Sequence, residues 1–105
     1  GRILNVTSVG GVIPVPHLLP YTTSKFAAFG FSMGLAASVR KHGVTVTTAA
    51  PFLMRTGSFL HANFKGEQAS EYKWFAKSST LPLLTVSAER GARKLVTACD
   101  RRSTY

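Results

Sequence analysis

The sequence predicts an α/β fold: a partial, doubly wound parallel sheet built on a βαβ unit and continued by C-terminal helices. Three observations predict it. A short apolar, β-branched run at Arg2–Ser8 reads as a strand. A helical pattern then extends from Leu19 or Tyr21 to Lys41. A second β-branched run, Val44–Ala50, follows the helix. Strand, helix, strand makes a right-handed crossover, which requires the two strands to be parallel.

In the first run, Ile3, Val6 and Thr7 are β-branched, and the apolar residues do not strictly alternate. That pattern predicts a strand buried on both faces. Gly10-Gly11 break it, and Pro14, Pro16 and Pro20 keep the next stretch extended. Within the helix, Phe26, Phe29, Met33, Ala36 or Ala37, and Val39 recur at three- and four-residue steps, which predicts the inward face. Gly30 and Gly34 predict close helix packing. Arg40 and Lys41 suit the negative end of the helix dipole, and Gly43 suits a left-handed position just past it.

Pro51 stops the second strand. Residues 57–66 predict loop with partial helix, Glu67–Lys77 a short amphipathic helix, and Leu81–Val86 irregular chain. Ser87 is a good N-cap with Glu89 in the first turn. Ala88, Ala92, Leu95, Val96 and Cys99 then predict the apolar face of a last helix, ending near residue 100.

Composition bounds the function. The 105 residues make one small domain, and 45% hydrophobic against 16% charged residues is a globular balance. Thirteen Lys+Arg against four Asp+Glu give a formal charge of +9, which raises nucleic acid, anionic membrane or a phosphorylated ligand as partners. The charges are scattered, however, and the densest runs are Arg90 with Arg93-Lys94, then Arg101-Arg102. A solvated surface is the expected use, and nucleic acid is not an expected partner.

The single cysteine, Cys99, suits a reducing compartment, and a cytoplasmic location is expected. His17, His42 and His61 are too far apart to suggest a metal site. Residues 26–39 are uncharged, but fourteen residues are too few to span a bilayer. No signal-peptide pattern is present. The chain opens at Gly1 and enters Ile3-Leu4-Asn5-Val6 at once, the pattern of a chain cut just before a strand.

The chemistry centres on Tyr21-Thr22-Thr23-Ser24-Lys25, read with Ser8 thirteen positions before the tyrosine. Residues i and i+4 share one helix face. An ammonium held beside a phenol favours the phenolate, so this spacing can make a tyrosine an acid/base. The same spacing also serves a lysine that merely packs along a ring. Ser8 has a plain alternative as a cap for the turn that follows its strand. The three sites nevertheless converge. Ser8 ends the first strand, Tyr21 and Lys25 begin the helix, and Pro51–Thr56 follows the second strand. All then lie at the carboxyl edge of a parallel sheet, where open α/β folds bind ligands.

Arg2-Ile3-Leu4-Asn5-Val6-Thr7-Ser8, Tyr21-Thr22-Thr23-Ser24-Lys25 and Pro51-Phe52-Leu53-Met54-Arg55-Thr56-Gly57 together resemble the C-terminal half of the short-chain dehydrogenase/reductase (SDR) family. The resemblance covers essentially the whole chain. It is strongest over residues 2–58, and Glu89–Ala98 still resembles the family's late helix. It implies that residues 1–105 are the C-terminal portion of one NAD(P)-binding Rossmann-type domain, with 58–86 as the segment over the substrate.

The implied activity is NAD(P)-dependent interconversion of a carbonyl and an alcohol by hydride transfer, with NAD or NADP as cofactor. Tyr21 is then the acid/base, Ser8 the residue that binds the reacting oxygen, and Lys25 the partner of Tyr21 and of the nicotinamide ribose. Tyr21, Lys25, Pro51, the Met54 backbone amide and Thr56 are the implied cofactor contacts. By the same resemblance the helix Tyr21–Lys41 lies where family members pair, which implies a homo-oligomer. Phe59, Leu60, Phe64, Tyr72, Trp74 and Phe75 suggest an apolar substrate or a lid that excludes water.

Two departures stand out. Phe52 replaces the glycine that the family has after the proline, and no glycine-rich dinucleotide fingerprint is present. Gly10-Gly11 follows the wrong strand for one, and Asn5 lies inside a strand, so it does not stand in for the family's helical asparagine. These departures and the positive charge motivate one alternative: a truncated, non-catalytic module that binds a partner or nucleic acid.

Overall fold

The computed structural model describes residues 1–55 and 85–103. The elements in chain order are β1 (Arg2–Val6), α1 (Leu19–Val39), β2 (Thr45–Ala49), β3 (Leu53–Arg55), β4 (Thr85–Ser87) and α2 (Ala88–Asp100). Short 3-10 turns at Val9–Gly11 and Arg40–His42 flank α1. The expectations for 57–66, Glu67–Lys77 and residues 81–84 lie outside the described residues.

β1 and β2 pair in parallel, with Asn5 opposite Thr48 and Val6 opposite Ala49. With α1 between them in sequence, they form the expected βαβ unit. Contrary to the sequence reading, β1 is not buried on both faces: Ile3 is 36% and Val6 52% exposed. β2 is its only strand partner among the described residues. β2 is the buried strand instead, with Val46, Thr47 and Thr48 each 2% exposed.

Two threonines, Thr47 and Thr48, are buried in that strand because their hydroxyls find partners there. Thr48 Oγ1 meets Ser32 Oγ of α1 at 2.7 Å. Thr47 Oγ1 donates to the Ser103 carbonyl, just past α2, at 2.5 Å. Successive strand side chains point to opposite faces. β2 therefore meets α1 on one face and the end of α2 on the other.

α1 begins with Pro20 in its first turn, where a missing N–H costs nothing. It passes through the Arg40–His42 turn to Gly43, which adopts φ +68°, the left-handed stop that the sequence predicts. Its inward face is largely the predicted one, with Phe29, Met33, Ala36 and Val39 half-buried, but polar residues share it. Thr22 and Ser32 are buried, whereas Phe26 is 43% and Phe31 67% exposed. The helix is apolar around most of its circumference, so periodicity alone could not exclude Phe26 from the buried face. A β-carbon on Gly30 or Gly34 would meet nothing within 4 Å among the described residues, so the expected close packing is not seen there.

β3 and β4 form a second parallel pair, Leu53 opposite Thr85 and Arg55 opposite Ser87. Thr85 and Val86 are therefore strand, not irregular chain. Ser87 caps α2 as expected: its backbone is extended and its Oγ accepts from the Arg90 amide at 3.4 Å. On α2, Leu95 and Cys99 are half-buried as expected, but Ala92 is exposed and Val96 is 57% exposed. Ala88, Gly91, Leu95 and Ala98 carry the inner face. Gly91 belongs there because a β-carbon would lie 2.6 Å from the Met54 Sδ.

Candidate active site

β1 ends one residue before the Thr7-Ser8 pair, and this end is pinned to β2. The Thr7 N–H and hydroxyl both donate to the Ala49 carbonyl, at 2.7 and 2.8 Å. Ser8 then leaves the strand with an extended backbone and caps the Val9–Gly11 turn, its Oγ accepting from the Gly10 N–H at 3.1 Å. The plain capping role of Ser8 is thus real, but it is not the whole role.

The Tyr21 hydroxyl also donates to Ser8 Oγ, at 2.7 Å. A serine hydroxyl has two acceptor sites and one proton. Both acceptor sites are occupied, by Gly10 and Tyr21, so the Ser8 proton remains available for a third oxygen. The Lys25 ammonium stands 5.7 Å from the Tyr21 ring centroid, one turn further along α1. Ser8, Tyr21 and Lys25 are therefore brought together, although thirteen residues separate the serine from the tyrosine.

Two glycines permit this approach. A β-carbon on Gly10 would meet Tyr21 Cε1 at 2.9 Å, and one on Gly11 would overlap the Lys25 carbonyl. The turn after Ser8 thus lies directly against the first turns of α1. Thr22 fastens the other side of the intervening loop. Its Oγ1 accepts from the Val15 N–H at 3.1 Å and donates back to the Val15 carbonyl at 3.4 Å. In the sequence, Gly10-Gly11 reads only as a strand breaker. The pairing of small residues with a nearby helix start is the signal that could have shown more.

The segment after β2 joins the same edge. The Pro51 carbonyl accepts from the Val9 N–H at 3.0 Å, which ties it to the turn that carries Ser8. Phe52, next to it, is 57% exposed. Met54 sits in β3, with its thioether against Gly91 of α2. Thr56 lies outside the described residues. Two clefts, of about 390 and 480 Å³, lie elsewhere, and neither is lined by Ser8, Tyr21 or Lys25. The smaller one gathers Arg93, Lys94 and Arg101 from the two basic runs of the sequence. Among the described residues no cluster of His, Cys, Asp and Glu could hold a metal, and no helix is long and apolar enough to cross a membrane.

Parallel strands joined by a helix, with a serine, tyrosine and lysine at their carboxyl edge, define a Rossmann-like α/β unit. The sequence model of the short chain dehydrogenase family matches residues 1–65, and the chain belongs to that family. It is 40% identical over 60 residues to 17-beta-hydroxysteroid dehydrogenase 13 of Homo sapiens, covering 54% of this chain and 20% of that protein. It is 39% identical over 56 residues to an A-factor type gamma-butyrolactone 1'-reductase (1S-forming) of Streptomyces virginiae, covering 53% and 22%.

A short-chain dehydrogenase/reductase of unknown function from Caenorhabditis elegans, crystallised with cofactor, superposes with a TM-score of 0.71 at 25% identity. That match covers 99% of this chain and 40% of the other. The chain thus spans about a fifth of the length of the curated relatives it matches.

Proposed function

We propose that the protein containing this chain is an NAD(P)-dependent oxidoreductase that interconverts a carbonyl and an alcohol, with Tyr21 as acid/base. The observation that carries the reading is the 2.7 Å hydrogen bond from Tyr21 to Ser8, with Lys25 one turn along the same helix. A lysine that only packed along a ring would need no serine at the phenol. The relatives' names support the same class: each is called a dehydrogenase or a reductase. None of these names favours the binding-module alternative.

The residues present fit a nicotinamide cofactor. Lys25 offers three N–H donors to ribose hydroxyls. Among the described residues no carboxylate pairs with it. Lys25, Tyr21, Pro51, Met54 and, beyond the described residues, Thr56 are the proposed contacts. When bound, the reduced nicotinamide supplies the hydride to the carbonyl carbon.

The chain's own groups handle the oxygen. Ser8 donates its remaining proton to the carbonyl oxygen and steadies the charge that develops there. Tyr21 turns its hydroxyl from Ser8 to the same oxygen and passes its proton to the developing alkoxide, and the alcohol forms. Oxidation runs the steps in reverse, with Tyr21 taking the proton. The Phe, Tyr and Trp side chains in the composition of 58–86 favour an apolar substrate.

The test is Tyr21→Phe in the whole protein, assayed with NADH and NADPH against a panel of ketones and aldehydes. The expected loss is on the order of 10²–10⁴-fold in kcat, the usual contribution of a general acid/base. A Tyr21→Phe protein with full activity removes Tyr21 from the role.

A further inference from the structure

We propose that Asn5, Ser32 and Thr48 form a positioning network that holds the Tyr21 end of α1 against Ser8, an inference that rests on the catalytic reading of Tyr21. Asn5 and Thr48 are direct partners in the parallel register of β1 and β2. Residues opposite one another in a sheet point to the same face. Here both meet one helix side chain. The Asn5 Nδ2–H donates to Ser32 Oγ at 2.9 Å, and Ser32 Oγ lies 2.7 Å from Thr48 Oγ1. Ser32 is 0% and Thr48 2% exposed. A single helix hydroxyl is therefore bonded to both strands of the sheet.

The chemistry of the remaining interface explains the need. The other α1 side chains turned toward the sheet include Phe29, Met33, Ala36 and Val39, all only half-buried. Apolar contact is non-directional and tolerates sliding. A hydrogen bond does not, because it weakens beyond about 3.2 Å. Advancing α1 by one residue displaces it about 1.5 Å, enough to break both bonds of Ser32. The Tyr21–Ser8 bond has the same narrow tolerance.

Ser32 stands seven residues beyond Lys25 (32 − 25), two turns along the same face. The helix is thus pinned axially at Ser32, and the pin sets where Tyr21 falls at its other end. Gly11 limits how closely the helix approaches the turn but leaves its axial position open. An alanine at position 32 would fill the space without burying a hydroxyl that must be satisfied. The hydroxyl buys register, not volume.

The experiment uses the whole protein with Ser32→Ala, which deletes both bonds, Thr48→Val, which deletes one at nearly constant volume, and Thr48→Ser, which keeps the hydroxyl. Crystal structures and steady-state kinetics are read together. Ser32→Ala is expected to lengthen the Tyr21–Ser8 separation beyond hydrogen-bond reach. It should lower kcat about tenfold or more, with KM for cofactor within about twofold, because small misplacements of reacting groups cost rate. Thr48→Val is expected to show the same effect in smaller measure, and Thr48→Ser to restore it.

A Ser32→Ala protein that keeps the Tyr21–Ser8 bond and its kcat, whatever its melting temperature, overturns the proposal. If Ser32→Ala does not fold, Thr48→Val against Thr48→Ser carries the same comparison. A fully active Tyr21→Phe protein would instead overturn the catalytic reading. The Tyr21–Ser8 separation in the Ser32→Ala crystal would still report the positioning.

Discussion

Gly11 lies directly against the Lys25 carbonyl group: a β-carbon at Gly11 would overlap the oxygen and stand 2.9 Å from the carbonyl carbon. Backbone of a helix cannot turn aside as a side chain can. Gly11→Ala is therefore expected to destabilise the protein by about 1–3 kcal/mol, the usual cost of overpacking. Gly10→Ala is expected to cost less. Its new neighbours, Tyr21 Cε1 at 2.9 Å and Val15 Cγ2 at 3.2 Å, belong to side chains that can shift. Urea unfolding of the two variants checks the order, and equal midpoints would contradict it.

Gly43 separates a backbone effect from a packing one. It adopts φ +68°, and a β-carbon there would meet nothing within 4 Å. Gly43→Ala should thus lose only the conformational freedom of glycine, about 1 kcal/mol. Gly43→Asn should lose less, because asparagine tolerates the left-handed region. Thermal denaturation of both variants measures the difference, and an alanine variant as stable as the parent would show that the turn relaxes.

The outward face of α1 bears on assembly. Phe31 is 67% and Phe26 43% exposed, and Gly30 and Gly34 between and beside them are open. Large apolar side chains beside small ones offer a partner helix both area and close approach. We expect the whole protein to be a homo-oligomer that uses this face, and Phe31→Glu to convert it to a smaller species. Light scattering of parent and variant decides it; a parent that is already monomeric removes the expectation.

Much of the candidate site was readable from one dimension. The spacing of Ser8, Tyr21 and Lys25 foretold a convergence that the structure shows as a 2.7 Å hydrogen bond. It was readable because each residue sits at the end or start of an element, and a βαβ crossover admits one arrangement of those ends. The buried side of α1 was readable in Phe29, Met33, Ala36 and Val39, but the place of Ser32 in it was not. Phe26 outranks Ser32 on any hydrophobic scale, yet Phe26 is outside and Ser32 fully inside. A hydroxyl enters a core only when partners wait there, and Asn5 and Thr48 lie on two other elements.

By itself the sequence determined the strand–helix–strand order, the Gly43 stop, the Ser87 cap and the edge of the sheet where Ser8, Tyr21 and Lys25 would meet. These follow from local backbone preferences and from the handedness of one crossover. Only the tertiary structure decided that β3 pairs with β4, three residues each and thirty apart in sequence (85 − 55). It alone decided that Ser32 is buried on α1 while Phe26 is exposed, and that Ala92 and Val96 of α2 face outward. Those choices depend on what each surface finds opposite it, and an isolated segment holds no record of its partner's shape or hydrogen-bonding groups.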